Sequence, residues 1–390
     1  MMFLISVWIC IQMILCLYLL LPFLTYVIAL CRSEDTSCRD ICSEKDFAII
    51  VTAYEQVNLL PSVVKSILSL EYSKFQVYVV ADNCDVSSLK FNSERVSLLQ
   101  PVEVLGSNTK SHFYAINRFV RPHELLTIID SDNLVDPGYL RELNRYFSSG
   151  FLAVQGQRKA KNLNTSLACL DEAGDMFYRF IDRKLLFSAG SSASLAGSGM
   201  AFSTTLYREC LESLEIEGAG FDKALQTELL IRGNRIAFAE GAIVYDEKTS
   251  KSDQLVKQRS RWINTWFKYS GRGIQLTLKG LLSWNANQLL NGLVFSRPPL
   301  FILLFLIVSS AVLDALFMPK MLYVLSLAVI SFFFIFFKAL KYFKATRGVY
   351  ISLLKIPIFI FYQLLSLLNS RRANKLSTAT VHYYDSETKS

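Results

Sequence analysis

Long apolar segments at the two ends of the chain constrain its fold more than any other feature. Residues 1–31 contain no charged side chain, and an α-helix crosses the hydrocarbon core of a bilayer in about 20 residues. The segment lacks the basic start and the small-residue cleavage site of a secretory signal peptide, so it predicts an uncleaved membrane anchor. Basic residues follow it, which by the positive-inside rule predicts an external N-terminus and a cytoplasmic continuation. They are Arg32, Arg39 and Lys45.

The last quarter of the chain is apolar again. Residues 298–313 and 321–337 are uncharged and predict two more spans, and the strongly basic loop after the second is expected to be cytoplasmic. A third run, residues 349–368, is interrupted by Lys355 and Pro357. A fourth span would place the basic residues that follow it on the external side of the membrane, against the positive-inside rule. An interfacial or re-entrant segment is therefore favoured. The pattern predicts a multi-pass protein of the inner or plasma membrane with a cytoplasmic middle.

Composition excludes several classes of protein. Apolar residues make up 52% of the 390 residues and charged residues 19%, which excludes an intrinsically disordered chain. The formal net charge is +8, but the basic residues gather at the predicted membrane boundaries, so no nucleic-acid partner is expected. The eight cysteines, Cys38 and Cys42 included, show no zinc-type spacing. We expect reduced, structural thiols.

Residues 46–250 alternate between two patterns. Short continuous apolar runs are typical of buried parallel strands, and helical spacing of apolar residues over 58–70 predicts a helix after the first of them. The strand-like runs are residues 47–51, 77–81, 102–105, 125–129, 153–155 and 236–238. This alternation predicts an α/β fold, with a doubly wound, mostly parallel sheet and helices on both faces.

Acidic residues follow three of the predicted strands. Glu55 comes after the first, Asp82 after the second, and the pair Asp130 and Asp132 after the fourth. Ligands bind at the carboxyl ends of the strands in such sheets, so these side chains are expected to converge. Two carboxylates separated by one residue suit Mg²⁺, which often takes further ligands from substrate phosphates; an acidic turn that only ends a strand is the alternative. G-x-G-x-x-G and Walker A sequences are missing, which argues against dinucleotide enzymes and P-loop ATPases.

Five ordered motifs resemble those of the family-2 inverting glycosyltransferases. The likeness is greatest to membrane-embedded polysaccharide synthases similar to cellulose, hyaluronan and poly-N-acetylglucosamine synthases, and it extends from near residue 46 to the third apolar run. The most specific motif is Q-x-x-R-W, formed by Gln258, Arg261 and Trp262. The others are V-T-A-Y-E ending at Glu55, V-A-D-N-C-D containing Asp82, the lysine Lys110, and the D-x-D of Asp130 and Asp132. The resemblance implies a GT-A domain, a Rossmann-like nucleotide-sugar-binding fold, flanked by transmembrane helices.

The resemblance also implies binding roles for particular residues. Glu55, Asp82, Lys110 and Asp130 would bind the donor nucleotide, and Asp130 with Asp132 would hold Mg²⁺ or Mn²⁺. Residues of two segments would bind the acceptor: Gly197, Ser198, Gly199, Gln258 and Trp262. A flexible turn in the first segment and an interfacial anchor at the tryptophan are the alternatives.

Catalysis in this family needs a general base, usually supplied by a Glu-Asp pair ahead of a helix. The matching aspartate is Asp222, and Phe221 stands where the family has glutamate. Glu228 is the competing candidate, but it lies six residues later, nearly on the opposite side of a helix, so both cannot face one pocket. We therefore favour Asp222. Arg261 would stabilise the leaving diphosphate with a fixed positive charge.

The implied organisation has five parts. They are an anchor (1–31), a cytoplasmic GT-A domain (44–250), interfacial amphipathic helices (251–297), membrane helices (298–370) and a tail (371–390). The implied reaction elongates a β-linked polysaccharide from a UDP-sugar by a single in-line displacement. Transfer of one sugar to a lipid-linked acceptor and an inactive membrane scaffold are the alternatives. Expected partners are the glycan or lipid-linked acceptor, the bilayer, and a second copy or an export protein.

Overall fold

An N-terminal helix, a central α/β domain and a set of C-terminal helices follow one another along the chain. The computed structural model describes residues 2–32, 43–216 and 218–372. Cys38, Cys42 and nearly all of the predicted tail lie outside these residues. The strands are β1 (Phe47–Tyr54), β2 (Phe75–Asp82), β3 (Val96–Leu99), β4 (Leu125–Asp130), β5 (Leu134–Val135), β6 (Ala153–Ala160), β7 (Met200–Ser203) and β8 (Ile236–Asp246).

The helices surround this sheet and extend beyond it. Those of the first half are α1 (Met2–Cys31), α2 (Leu60–Leu68), α3 (Asn108–Ile116), α4 (Tyr139–Ser148), α5 (Ser166–Arg179), a π-helix (Phe180–Leu185), α6 (Leu186–Ser188), α7 (Thr204–Leu211) and α8 (Phe221–Ile231). Those of the second half are α9 (Ser252–Leu282), α10 (Ala286–Ser296), α11 (Leu300–Phe317), α12 (Met321–Tyr342), α13 (Arg347–Ser352), a 3₁₀ turn (Leu353–Lys355), α14 (Ile356–Asn369) and a 3₁₀ turn (Ser370–Arg372).

The α/β prediction is confirmed, with a mixed sheet of strand order β3-β2-β1-β4-β7-β6-β8-β5. The pairs among β1, β2, β3 and β4 and the pair of β6 with β8 are parallel. Strand β7 is antiparallel to both of its neighbours, and β5 is antiparallel to β8. The sequence pattern missed β5 and β7 because strands of two and four residues carry too few side chains to show a period.

Alternate residues of each central strand pack against opposite layers of helices. In β1, Phe47, Ile49 and Val51 join a core with α2 and α4. Ala48 and Ile50 join a second core on the other face with α3, α7 and α8. A strand buried on both faces reads as a continuous apolar run, which explains why this strand was recognisable.

The predicted strand at residues 102–105 is wrong. Strand β3 lies earlier, at Val96–Leu99, and residues 102–105 form a loop in which Val102 is fully exposed. The amide of Leu105 donates a hydrogen bond to the Asp82 carboxylate rather than to a neighbouring strand. A local apolar run does not reveal this competing partner.

Four helices in the described part of the chain are long and apolar enough to cross a membrane. They cover residues 5–31, 300–317, 321–342 and 347–369. The last is interrupted by a 3₁₀ turn that ends at Lys355, where the sequence predicted a break. Helix α11 runs on past the predicted end to include Asp314, which is fully buried and accepts hydrogen bonds from Trp8 (3.1 Å) and Gln12 (2.5 Å) of α1.

Helix α5 and the π-helix attach the α/β domain to the helices that are candidate membrane spans. A third core joins Phe177 and Ile181 of this segment to Leu19 of α1, Ile307 of α11 and Ile335 of α12. Helices α1, α11 and α12 therefore pack on one another and also against the α/β domain. This packing holds the domain close to the predicted membrane surface.

Candidate functional site

The carboxyl ends of β1 and β2 meet at one edge of the sheet. Their register pairs Tyr54 with Asp82, and the Glu55 amide donates to the Asp82 carbonyl at 3.2 Å. Asn83 Nδ2 donates to Glu55 Oε1 at 3.3 Å. Glu55 (φ 61°) and Asn83 (φ 53°) both have left-handed backbone, a costly conformation for residues other than glycine that clusters at functional sites. Glu55 and Asp82 thus lie beside each other at the ends of two neighbouring parallel strands.

Asp82 anchors the loop that leads into α3. Its side chain is almost completely buried, with Oδ1 accepting from the Leu105 amide at 2.9 Å and Oδ2 from the Gly106 amide at 2.8 Å. Helix α3 begins just after this loop and presents Lys110 to solvent. Asp82 therefore places both the loop and the predicted donor-binding lysine at the edge of the sheet.

The D-x-D turn is tied to the predicted acceptor segment. The Asp130 amide donates to Ser198 Oγ at 3.1 Å, and Ser198 Oγ lies 3.5 Å from Asn133 Oδ1. Lys161 Nζ donates to the Asp132 carbonyl at 3.3 Å. Ser198 is completely buried, so its hydroxyl holds the turn and does not face an acceptor.

The glycines beside Ser198 allow this segment to lie between β4 and β6. Gly197 (φ 84°) and Gly199 (φ 66°) have left-handed backbone that favours glycine. The Gly199 amide donates to the Ile128 carbonyl at 2.9 Å and its carbonyl accepts from the Gly156 amide at 2.8 Å. The segment is therefore hydrogen-bonded on both sides and is not a free turn.

The acidic residues at this edge fit a divalent metal only together with a substrate. In the parts of the chain that the structure describes, no group of three or more His, Cys, Asp or Glu side chains could hold a metal ion. Asp130 and Asp132 supply two carboxylates, and Mg²⁺ or Mn²⁺ held in this way takes its other ligands from substrate phosphates and water. The donor set matches a metal that arrives with a nucleotide diphosphate.

Asp222 lies in the first turn of α8, which starts against α9. Gly220 precedes it with φ 100°, and a Cβ there would lie 2.7 Å from Tyr269 Cε2 and 2.8 Å from Thr265 Cγ2. Only glycine permits this close approach of the two helices. The Asp222 carboxylate is partly exposed and lies 3.8 Å from Lys223 Nζ.

Phe221 is a core residue, which accounts for the departure from the family's acidic pair. It is buried in the second core, with its ring 5.2 Å from that of His112. Glu228 lies further along α8 and pairs with Arg232, which also donates to the Glu209 carbonyl of α7. The structure thus places Glu228 toward α7 and Asp222 toward α9.

The Q-x-x-R-W residues lie in the first half of α9. Gln258 Oε1 accepts from Thr249 Oγ1 at 3.2 Å, and burial lowers the pKa of the Arg261 guanidinium. Trp262 is 49% exposed, and the guanidinium carbon of Arg259 lies 4.2 Å from its ring centroid. One face of the indole is thereby covered by a cation that is itself paired with Asp171.

A buried ion network behind the D-x-D turn was missed by sequence reasoning. Lys248 Nζ lies 3.1 Å from Glu172, 2.9 Å from Asp175 and 3.2 Å from Asp246. Arg158 pairs with Asp246 at 2.5 Å and donates to the Ala196 carbonyl at 2.8 Å, next to the predicted acceptor segment. Acidic and basic residues at i, i+3 and i+4 in α5 were the available signal, but they also fit an exposed helix face.

The electrostatics of this network favour the charged forms of Arg158 and Asp175, whereas burial raises the pKa of the Glu172 carboxyl. Burial by itself lowers the pKa of the Arg158 guanidinium, but the carboxylates of Asp246, Asp175 and Asp130 outweigh it and raise the pKa overall. Burial opposes the ionised form of Asp175 too, yet Lys248 and its neighbouring arginines hold the pKa of that carboxyl well below its usual range. Arg158 is therefore a fixed positive charge beside the D-x-D turn.

His112 makes the stability of the domain depend on pH. It is fully buried, and burial lowers its pKa to about 3. Between pH 6.5 and 3 the unfolded chain binds a proton at this residue and the folded chain does not, so stability falls as the pH falls. At pH 5 the expected loss is about 2 kcal/mol. The His112→Gln variant should show a smaller drop in melting temperature between pH 7.5 and 5.0 than the parent. An equal drop would show that His112 is not the source of the pH dependence.

Both the sequence and the fold of the chain are similar to those of known proteins. Residues 45–265 match the sequence profile of the family described as glycosyltransferase like family 2. The fold is similar to the mannosyltransferase PcManGT from Pyrobaculum calidifontis, solved with GDP-Man and Mn²⁺, at 13% identity and a TM-score of 0.59, over 92% of this chain and 97% of that one. A weaker similarity, with a TM-score of 0.41 and 13% identity, links 77% of the chain to 91% of S. aureus TarS 1–349 in complex with UDP-GlcNAc. No curated protein sequence matches the chain.

Proposed function

The chain belongs to glycosyltransferase family 2, and on that basis we propose that it transfers sugar from a UDP-sugar to an acceptor hydroxyl with inversion at the anomeric carbon. One loop carries the proposal. At its start the Leu195 amide donates to Gln226 of α8 at 2.9 Å, one turn after Asp222. At its end Ser198 accepts from the Asp130 amide. The helix that carries the proposed base and the turn that carries the proposed metal carboxylates are thus both hydrogen-bonded to residues 195–198.

The proposed roles follow from the position of each side chain. Glu55 and Lys110 would contact the donor nucleotide at the ends of β1 and β2, and Asp82 would support this site by holding the loop that leads to Lys110. A divalent metal, when bound by Asp130 and Asp132, supplies Lewis-acid stabilisation to the diphosphate.

On the acceptor side, Asp222 would remove the proton of the attacking hydroxyl. On the donor side, the planar guanidinium of Arg261 would donate hydrogen bonds to the leaving diphosphate. Gln258, Trp262 and the backbone of Gly197 and Gly199 would line the acceptor side. Displacement from the opposite face turns an α-linked donor into a β-linked product.

We favour repeated transfer that elongates a polysaccharide, because the Q-x-x-R-W residues of the processive synthases are all present. Transfer of one sugar to a lipid-linked acceptor is the second candidate. It is favoured by the small number of candidate spans, four in the described part of the chain, which leaves little material for an export channel without another copy or a partner. The basic residues that follow α1 in the sequence support a cytoplasmic catalytic domain at the inner or plasma membrane.

The proposal is tested by measuring nucleotide release from the purified protein in detergent. Donors would be a panel of UDP-sugars with GDP-mannose, each with Mg²⁺, Mn²⁺ or EDTA, and the products would be separated on a gel. Release from one UDP-sugar with a long product supports the processive synthase, and short products support single transfer. Release only from GDP-mannose would contradict the UDP-sugar assignment, and no release from any donor in the presence of membrane lipid and candidate acceptors would favour the scaffold.

Trp262→Ala separates acceptor binding from donor chemistry. If the exposed face of the indole stacks on the acceptor sugar, the variant should lose about tenfold in elongation and keep near-normal hydrolysis of the donor. Trp262→Phe keeps an aromatic face and should retain most elongation. Equal loss of elongation and hydrolysis in Trp262→Ala would indicate a structural role for the side chain.

A further inference from the structure

A completely buried glutamine joins helix α8 to two other parts of the chain. Gln226 Oε1 accepts a hydrogen bond from the Leu195 amide at 2.9 Å, and Gln226 Nε2 donates to Asn291 Oδ1 of α10 at 3.0 Å. An amide side chain has one acceptor end and one donor end, and here both ends are used. The orientation of Gln226 is therefore fixed by its two partners.

Helix α10 holds the same stretch of chain at a second point. Asn291 is also completely buried, and its Nδ2 donates to Ser191 Oγ at 2.9 Å and to the Asn287 carbonyl at 3.1 Å. Ser191 and Leu195 both belong to residues 191–199, which we call the bridging loop because it leads to the D-x-D turn. Gln226 and Asn291 thus connect the bridging loop to the helix that carries the proposed base and to α10.

One backbone amide of the bridging loop depends on Gln226. The amides of the two residues before Leu195 donate to backbone carbonyls at 2.9 Å, whereas the Leu195 amide donates to the glutamine side chain. Leu195 is buried, and a buried amide that loses its partner is costly because water cannot replace the bond. A substitution at Gln226 therefore loosens the loop at Leu195 and leaves the backbone bonds that precede it in place.

Gln226 stands between the proposed base and the proposed metal carboxylates. It lies four residues after Asp222 and so on the same face of α8. Further along the bridging loop, Ser198 Oγ accepts from the Asp130 amide at 3.1 Å. A Cβ at Gly197 would meet no atom within 4 Å, so the loop borders open space between these two attachments. Gln226 is buried behind the loop and acts on the site through it.

We propose that Gln226 is a positioning residue, which holds the bridging loop against α8 and thereby sets the position of Asp222 relative to the D-x-D turn. The inference rests on the proposed function, in which Asp222 deprotonates the attacking hydroxyl and the D-x-D carboxylates hold the metal. In-line displacement requires these groups in one geometry, and a misplacement of about 1 Å can cost about a hundredfold in rate. Asn291 supports the role because it fixes the donor end of the glutamine amide.

Gln226→Met tests the role, because methionine is close to glutamine in length and volume and removes both hydrogen bonds. We expect kcat for nucleotide release to fall about a hundredfold. The Kd for UDP at saturating Mn²⁺ should stay close to that of the parent, since the residues proposed for the nucleotide lie outside the bridging loop. Deuterium exchange of the amides of residues 195–199, followed by mass spectrometry, should become about tenfold faster.

Gln288→Met is the matched control for this variant. Gln288 is a second buried glutamine between the same two helices, and its Nε2 donates to the Leu230 carbonyl near the end of α8 at 2.9 Å. Within the described residues, none of its hydrogen bonds reaches the bridging loop. The control should lower the melting temperature about as much as Gln226→Met does, while kcat and loop exchange remain close to those of the parent.

Two milder variants keep the test decisive if Gln226→Met folds poorly. Gln226→Glu keeps an oxygen for the Leu195 amide and should recover most of the lost turnover. Asn291→Ser removes only the partner of the donor end of Gln226 and should lower kcat less than Gln226→Met does, with the Kd for UDP unchanged.

Equal kcat values for Gln226→Met and Gln288→Met would overturn the positioning role, as would unchanged exchange of the bridging loop in Gln226→Met. If the parent released no nucleotide from any donor, the proposed reaction would fail instead. Exchange needs no turnover, so it decides separately whether Gln226 holds the loop.

Discussion

Asp222→Asn is expected to lower turnover by about a thousandfold, because the amide cannot accept the proton of the acceptor hydroxyl. Donor binding should persist, since Asp222 lies at the start of α8 and the residues proposed for the nucleotide lie at the ends of β1 and β2. Loss of a carboxylate from the first turn of a helix costs only about 0.3–1 kcal/mol of stability. Nucleotide release and UDP binding, measured on the same preparation, check both parts.

Glu228→Gln is the matched control for the base. Glu228 pairs with Arg232 on the side of α8 toward α7, so this variant should retain turnover within about twofold and lose only the small energy of an exposed ion pair. Near-normal turnover of Asp222→Asn together with inactive Glu228→Gln would reverse the assignment of the base.

Asp132→Asn is expected to lower turnover by about 10²–10³, a loss typical of removing one group that stabilises developing charge. Asp132 is buried at the D-x-D turn, where no third acidic or histidine side chain in the described residues could compensate. The variant should also need far more Mn²⁺ to bind UDP, which titration calorimetry of UDP at several Mn²⁺ concentrations measures without turnover.

Asp136→Asn controls for loss of charge near this turn. Asp136 accepts from the Gly138 amide at 3.1 Å and from the Tyr245 hydroxyl at 3.3 Å, so its role is to hold the chain after β5. We expect lower thermal stability with an unchanged Mn²⁺ requirement. Full activity of Asp132→Asn in the presence of EDTA would reject a metal at this site.

The elements that could be predicted are those whose signal is local. Strands β1, β2 and β4 are continuous apolar runs because both of their faces are buried, and the acidic residues that follow them lie at one edge because parallel strands end together. The break before Pro357 was visible for a similar reason, since proline and lysine both interrupt an apolar helix locally.

Other features depended on partners distant in sequence. The loop at residues 102–105 looks like a strand until the bond between Leu105 and Asp82 is known. Ser198 looks like part of an open turn, but its partner is an amide 68 positions away. The network around Lys248 joins α5, β6 and β8, and each of its charges by itself resembles a solvent-exposed residue.

The sequence by itself determined the class of the chain: an α/β domain of the glycosyltransferase type between apolar ends, with the order of its acidic motifs. Apolar runs, charge asymmetry and motif spacing are properties of neighbouring residues, so they can be read without coordinates. Only the tertiary structure decided that Ser198 binds the D-x-D turn, that Phe221 belongs to the core beside His112, and that Glu228 faces away from α9. Each of these depends on which buried group finds which distant partner, and that choice is made by packing and hydrogen bonding of the whole chain.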